Sequence, residues 1–172
     1  MVEMDVLRWR WPEEHFAVVA NLPFAHSSAI LAHLLGNPEI ELRRADLIVQ
    51  WELAAKDTAV WPATLRSTYW RAWYELSIAG RIGRSAFTPT PGVDAAVLCV
   101  IRRRQPLVRV DDHRAYWRFL SDAFRGGRVC PGLSRIEIKR LAPTLGFAPT
   151  ARPRDLDFRQ WAELFAAARR SG

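Results

Sequence analysis

Cysteine, lysine and long apolar runs are scarce in this chain, and each scarcity argues against a class of protein. Only two cysteines occur, Cys99 and Cys130. They are too few and too far apart for a disulfide framework or a zinc site. His15, His26, His33 and His113 show no metal-ligand spacing either, so no metal is expected. A reduced, cytoplasmic setting follows. No stretch of about 18 consecutive apolar residues is present, which argues against a membrane-spanning helix. The first ten residues carry Glu3, Asp5, Arg8 and Arg10 and lack the apolar centre of a secretory signal. Lysine is nearly missing: Lys56 and Lys139 are the only two among 25 basic residues.

What is present is apolar and aromatic. About half the residues (49%) are hydrophobic and eight are Trp, which predicts a packed core and not a disordered chain. Charge is divided unevenly. Residues 1–101 carry 9 basic and 11 acidic residues, net −2, whereas residues 102–172 carry 16 and 7, net +9. Such asymmetry points to a polyanionic partner, with nucleic acid first among the candidates. The arginine skew also has a plain reading as base composition of the gene.

Hydrophobic patterning gives the elements. Phe16–Ala20 reads as a buried, parallel strand and ends at the turn Asn21-Leu22-Pro23-Phe24. Ser27 or Ser28 is placed to cap a helix running to about Leu35, ended by Gly36-Asn37-Pro38. Ala45–Gln50 is a second buried strand, and Trp51 to about Thr58 a helix. Trp70–Ile82 alternates and reads as an extended strand. Two prolines and a glycine between Phe87 and Gly92 forbid regular structure there. Val93–Ile101 is the last strand. Helices are predicted over about Asp112–Phe124, Ser134–Leu145 and Phe158–Arg170, with Trp117 and Trp161 in their core. The expected fold is the second half of a doubly wound α/β sheet with an antiparallel edge, followed by a small all-α domain. The boundary falls at 1–104 and 105–172, beside the basic linker Arg102-Arg103-Arg104.

In an open α/β sheet, ligands bind at the C-terminal ends of the strands, which is where Asn21-Leu22-Pro23-Phe24 falls. Asn21 offers an amide oxygen and Leu22 a carbonyl. Pro23 restricts both itself and Leu22, and so holds these acceptors in place. Phe24 offers a flat ring. Two acceptors and a ring suit the exocyclic amine of an adenine: they take its two N–H bonds, aim the nitrogen lone pair and stack the base. The target must be flipped out or unpaired. A strand-ending turn with a core Phe is the bland alternative.

Three segments together extend that reading. Asn21-Leu22-Pro23-Phe24, the stretch from Leu47 to Ala54, and the long segment from Ser85 to Leu98 resemble, in order and spacing, the rRNA adenine N6-methyltransferases. That family writes them N-[LI]-P-[FY], Q-K-E-x-A and F-x-P-x-P-x-V-D-[SA]-x-V. The resemblance implies a Rossmann-like catalytic domain that uses S-adenosylmethionine. It implies a target-adenine site made by Asn21, Leu22, Pro23 and Phe24, with Phe87 as a second aromatic beside the base. Asp5 fits the acidic residue that contacts the cofactor's adenine amine, and Asn21 also faces the cofactor. Phe24, where the small-subunit enzymes mostly carry Tyr, and the tail from Arg154 to Trp161 favour the macrolide-resistance branch. The implied outcome is N6-methylation of an adenine in large-subunit (23S) rRNA.

Phosphate contacts on RNA are expected from Arg102, Arg103 and Arg104, with Arg125, Arg128, Arg135 and Arg140 as weaker candidates. Residues 1–20 contain no glycine, so the family's Gly-rich cofactor loop has no counterpart there. The chain is then expected to begin near the family's third cofactor segment, as a truncated product or as a fragment completed by another polypeptide. Half a sheet exposes the flank of its first strand, so marginal stability or self-association is expected. Alternatives are an RNA-binding remnant without catalysis, a small-subunit dimethyladenosine transferase, a DNA adenine methyltransferase and a plain interaction module.

Overall fold

Apolar alternation at period two and period 3.6 accounts for the elements of the computed structural model, which describes residues 4–129 and 133–171. Four strands form one sheet in the order β1-β2-β4-β3. They are β1 (Phe16–Asn21), β2 (Leu42–Gln50), β3 (Tyr74–Ile82) and β4 (Ala95–Arg102). β1 pairs parallel with β2, while β4 runs antiparallel to both β2 and β3. The helices are α1 (Ser27–Leu35), α2 (Trp51–Thr58), α3 (Leu65–Trp70), α4 (His113–Gly126), α5 (Arg135–Leu145) and α6 (Phe158–Ser171). Cys130 lies outside the described residues.

The chain divides into two compact units, one of residues 1–58 and 74–104, the other of 59–73 and 105–172. Residues 59–73 therefore cluster with the helices, although their sequence position suggests the sheet. In the sheet unit, Ala45, Leu47 and Val49 of β2 register with Val100, Leu98 and Ala96 of β4, and all six are buried. Helix α2 packs on the sheet, and α1 buries Ile30, Leu31, Leu34 and Leu35. The alternate residues Asp46, Ile48 and Val97 are half-buried, and Ile101 is exposed.

Three expectations change here. β1 is not buried: it is an edge strand whose residues alternate half-buried and exposed, with Val19 84% exposed. An apolar composition reports what a strand could bury and not whether a neighbour lies on each flank. Ser27 does not cap α1 with its hydroxyl, because that hydroxyl donates to the Pro23 carbonyl at 3.0 Å. The strand expected from Trp70 begins at Tyr74, because residues 65–70 are helical. Thr64 and Ser67 form a reciprocal cap: the Ser67 amide donates to Thr64 Oγ1 at 3.1 Å and the Thr64 amide to Ser67 Oγ at 3.3 Å.

The helical unit is built on aromatic contacts. Tyr69 lies 4.8 Å from Trp73 and 6.2 Å from Tyr116 between ring centres, and Tyr116 lies 5.1 Å from Phe165. Phe119 packs edge-on against both Trp161 and Phe165. Each such pair contributes roughly 0.5–1.5 kcal/mol beyond its buried area. Trp161 is fully buried, as expected, and its indole N–H donates to the Pro153 carbonyl at 3.2 Å. Trp117 departs from expectation: it stays 37% exposed, because α4 turns His113, Tyr116, Phe119, Leu120 and Ala123 inward instead. Gly127 (φ 65°) and Gly146 (φ 74°) end α4 and α5 in the left-handed conformation that residues with a Cβ seldom adopt.

Candidate active site

The turn that closes β1 is held by backbone before any side chain acts. The Leu22 amide donates to the Ile48 carbonyl at 3.0 Å, which continues the ladder one residue past the strand. Its side chain is buried, so the turn cannot rotate about that point. The Pro23 carbonyl then accepts from the His26 amide at 2.9 Å and from Ser27 Oγ at 3.0 Å. Asn21 is exposed at the C-terminal end of the strand, beside this fixed turn.

Phe24 and Phe87 are brought together although 63 positions separate them. Their rings stand 6.3 Å apart at 68°, edge to face, and both are half-buried. Two half-open aromatic faces beside an amide and a carbonyl make a platform for a flat ring bearing an amine.

Phe87 sits in the loop joining β3 to β4, and Asp94 ties that loop at both ends. One carboxylate oxygen accepts from the Arg84 amide at 2.9 Å. The other accepts from Arg81 Nε at 2.9 Å and Nη2 at 2.6 Å. The Asp94 carbonyl accepts from the Trp51 amide at 3.0 Å, and the Arg81 guanidinium lies 4.6 Å above the Trp51 ring. The Arg84 amide first, and the Arg81 guanidinium after it, hold the Asp94 carboxyl below the usual carboxylate range. Sequence reasoning missed Arg81 and Trp51 as parts of this clamp. Asp94 stood inside a quoted motif, but nothing in its spacing says that it bridges the ends of its own loop.

The remaining candidates are placed less uniformly. Asp5 caps its own short turn by accepting from the Leu7 amide at 3.0 Å, with Arg8 3.9 Å from its second oxygen. That turn belongs to a segment held on α1 by a 3.0 Å contact between the Trp9 carbonyl and His33 Nε2. The Asp5 side chain is 56% exposed, so its carboxylate stands at the surface beside Arg8. An exposed carboxylate and an exposed amide fit the amine-bearing part of S-adenosylmethionine. Arg102 is occupied: it donates to the Ile40 carbonyl at 2.6 Å and the Pro38 carbonyl at 2.9 Å. Arg103 pairs with Glu75 at 2.9 Å and its side chain is only 10% exposed. Those bonds make both residues braces of the sheet unit, whereas the sequence suggests phosphate contacts. Arg104 is exposed at the end of the run, and Arg125 and Arg128 are exposed in the helical unit. Among the described residues, no group of three or more His, Cys, Asp and Glu side chains could hold a metal ion.

Residues 1–129 match the family described as ribosomal RNA adenine dimethylase. The chain belongs to this family. Its relatives within or near the ribosomal RNA adenine dimethylases include an rRNA adenine N-6-methyltransferase of Corynebacterium diphtheriae, 32% identical over 72% of this chain and 48% of that protein. The mycinamicin-resistance protein MyrB of Micromonospora griseorubida is 30% identical over 100% of this chain and 57% of its own length. The chain thus spans about half the length of these curated relatives. Among solved structures, the 23S rRNA methyltransferase ErmE superposes with a TM-score of 0.80 at 24% identity, over 96% of this chain and 70% of that one. That likeness establishes the Rossmann-like α/β fold with a helical second part.

Proposed function

We propose that this chain carries the adenine-positioning part of an S-adenosylmethionine-dependent N6-methyltransferase acting on 23S rRNA, with macrolide-type resistance as the outcome. The observation that carries the reading is the Phe24–Phe87 pair standing beside the fixed Asn21-Leu22-Pro23 turn. Asn21 Oδ1 and the Leu22 carbonyl accept the two N–H bonds of the target amine. Phe24 stacks on the base and Phe87 closes on it from the loop that Asp94 holds. The base enters flipped out or unpaired, and stacking of roughly 1–3 kcal/mol helps to keep it there. The cofactor supplies an electrophilic methyl group; Asp5, through its exposed carboxylate, and Asn21 would hold it. The chain's own contribution is alignment, and well-oriented reactants gain up to about 7–11 kcal/mol from it. The helical unit, with 15 basic and 7 acidic residues, holds RNA. Arg125 and Arg128 are its contacts to phosphate, and Arg104, at the end of the sheet unit, is a further one. A cytoplasmic location belongs to the same reading; among the described residues no helix is long and apolar enough to cross a membrane.

The open flank of β1 favours a second reading, in which the chain binds RNA but transfers no methyl group unless another polypeptide pairs with that edge. A second copy is one such polypeptide. Methyl transfer from labelled S-adenosylmethionine to protein-free large- and small-subunit rRNA separates the readings. The first expects transfer to the large-subunit RNA that disappears with Asn21→Ala. Salt-sensitive RNA binding with no transfer supports the second. Transfer to the small-subunit RNA alone overturns the choice of substrate.

A further inference from the structure

Helix α4 has a solvent face that the adenine site does not use. A helix advances 1.5 Å and turns 100° per residue, so positions i, i+4 and i+11 fall on one stripe about 16 Å long. On α4 these positions are Arg114, Arg118 and Arg125, all exposed. The opposite stripe buries His113, Tyr116, Phe119, Leu120 and Ala123, which fixes the orientation of the ridge toward water. Three arginines elsewhere in the same unit are taken up by carboxylates: Arg109 by Asp111, Arg152 by Asp155 and Arg169 by Asp112. Among the described residues no ion pair or hydrogen bond engages Arg114, Arg118 or Arg125. The one acidic residue of α4, Asp122, stands four positions from Arg118 and three from Arg125, and among the described residues no ion pair joins it to either.

Trp117 lies beside this line of charge. It is 37% exposed, and its ring meets Tyr69 edge-on at 5.0 Å and 84°. Tyr69 is itself buried, so the indole is held rigidly with part of its surface open. Three unpaired guanidinium groups in a row, with a fixed aromatic surface beside them, match the backbone and bases of a single strand. Guanidinium groups bind phosphate in bidentate fashion, and any base can stack on an indole.

We infer that the outer face of α4, formed by Arg114, Arg118, Arg125 and Trp117, is a docking surface for single-stranded RNA. The inference rests on the proposed RNA substrate for the choice of polyanion. An acidic protein segment is the competing occupant, and the test separates the two.

The experiment measures binding of a short fluorescent single-stranded RNA to the full chain across a salt series. Arg114→Gln/Arg118→Gln/Arg125→Gln should weaken binding at least about tenfold at low salt. Each lost phosphate contact lowers the slope of log affinity against log salt by about 0.7, so the slope should flatten by about two. Trp117→Ala should weaken binding by about tenfold and leave that slope unchanged. Arg152→Gln/Arg154→Gln/Arg159→Gln changes net charge equally, elsewhere on the unit, and should stay within about threefold. An unchanged slope in the α4 triple variant overturns the inference. So does an equal loss in the control triple, which would reduce the effect to net charge. Competition by polyglutamate as strong as by unlabelled RNA assigns the surface to a protein partner and overturns it as well. Asn21→Ala, scored for methyl transfer, reports separately on the adenine site: loss of transfer with intact α4 binding leaves both readings standing. Binding that depends on α4 without any transfer removes only the catalytic one.

Discussion

The two units use arginine in opposite ways. The sheet unit, with 10 basic and 11 acidic residues, is near neutral and engages most of its arginines internally. Arg44 pairs with Asp46 and Arg81 with Asp94, both at 2.6 Å, Arg103 pairs with Glu75, and Arg102 caps two carbonyls. The helical unit has 15 basic and 7 acidic residues and leaves the arginines of α4 without partners. An arginine count therefore predicts nothing by itself. What decides the role is whether a carboxylate or carbonyl lies within reach, because a paired guanidinium is held in place with fewer donors left for phosphate.

The units also differ in what holds them together, and variants can sharpen that difference. The largest effect is expected in the helical unit, whose interior is aromatic. Trp161→Ala removes a fully buried indole and its bond to the Pro153 carbonyl. It should destabilise the chain by about 3–5 kcal/mol in denaturant titration, independently of salt. A salt-dependent loss would mean that charge and not packing holds this unit.

The next effect is expected in the sheet unit, where polar contacts position the aromatic platform. Asp94→Ala should reduce the quenching of 2-aminopurine placed at the target adenine of an RNA by more than half, with overall RNA affinity kept within about twofold. Acid should do the same to the unaltered protein. The Asp94 carboxyl lies below its ordinary value of about 3.9, so the clamp's contribution is fully present above that pH. It is lost as pH falls through the depressed value. Trp51 fluorescence, which reports the overlying Arg81, should change only below about pH 4. A transition near neutral pH would assign the clamp to some other group.

The smallest effect should be a gain. The Tyr116 hydroxyl is buried without a hydrogen-bond partner among the described residues, and burial pushes its phenol well above the ordinary range. Tyr116→Phe keeps the ring contacts and removes an unsatisfied group, so stability should hold or rise by up to about 1 kcal/mol. A clear loss would mean that a buried water satisfies that hydroxyl.

Much of this was legible in residue order. The turn from Asn21 to Phe24 could be placed at a strand end because an apolar run stops there and Pro23 cannot extend it. α5 could be bounded because Ser134 and Glu137 form a reciprocal cap, and Gly146 can take the left-handed conformation. The residues that went astray share one cause. Trp70 and Trp73 fit a strand pattern, yet Trp70 ends a helix, because Thr64 caps α3 and Tyr69 and Trp73 pack on Tyr116 of α4. Arg102 and Arg103 look like free basic residues until the carbonyls of Ile40 and Pro38 and the carboxylate of Glu75 arrive from distant positions.

Sequence alone determined the kinds of element, their order, the acceptor-bearing turn and the family to which the chain belongs. These depend on local periodicity, caps and motif spacing, which act over a few residues. Only the tertiary structure decided that β1 is an edge, that Phe24 meets Phe87, that Asp94 clamps the loop between them, and which arginines are spent. Each of those rests on a contact between residues far apart in the chain, and no local pattern records which distant partner will close it.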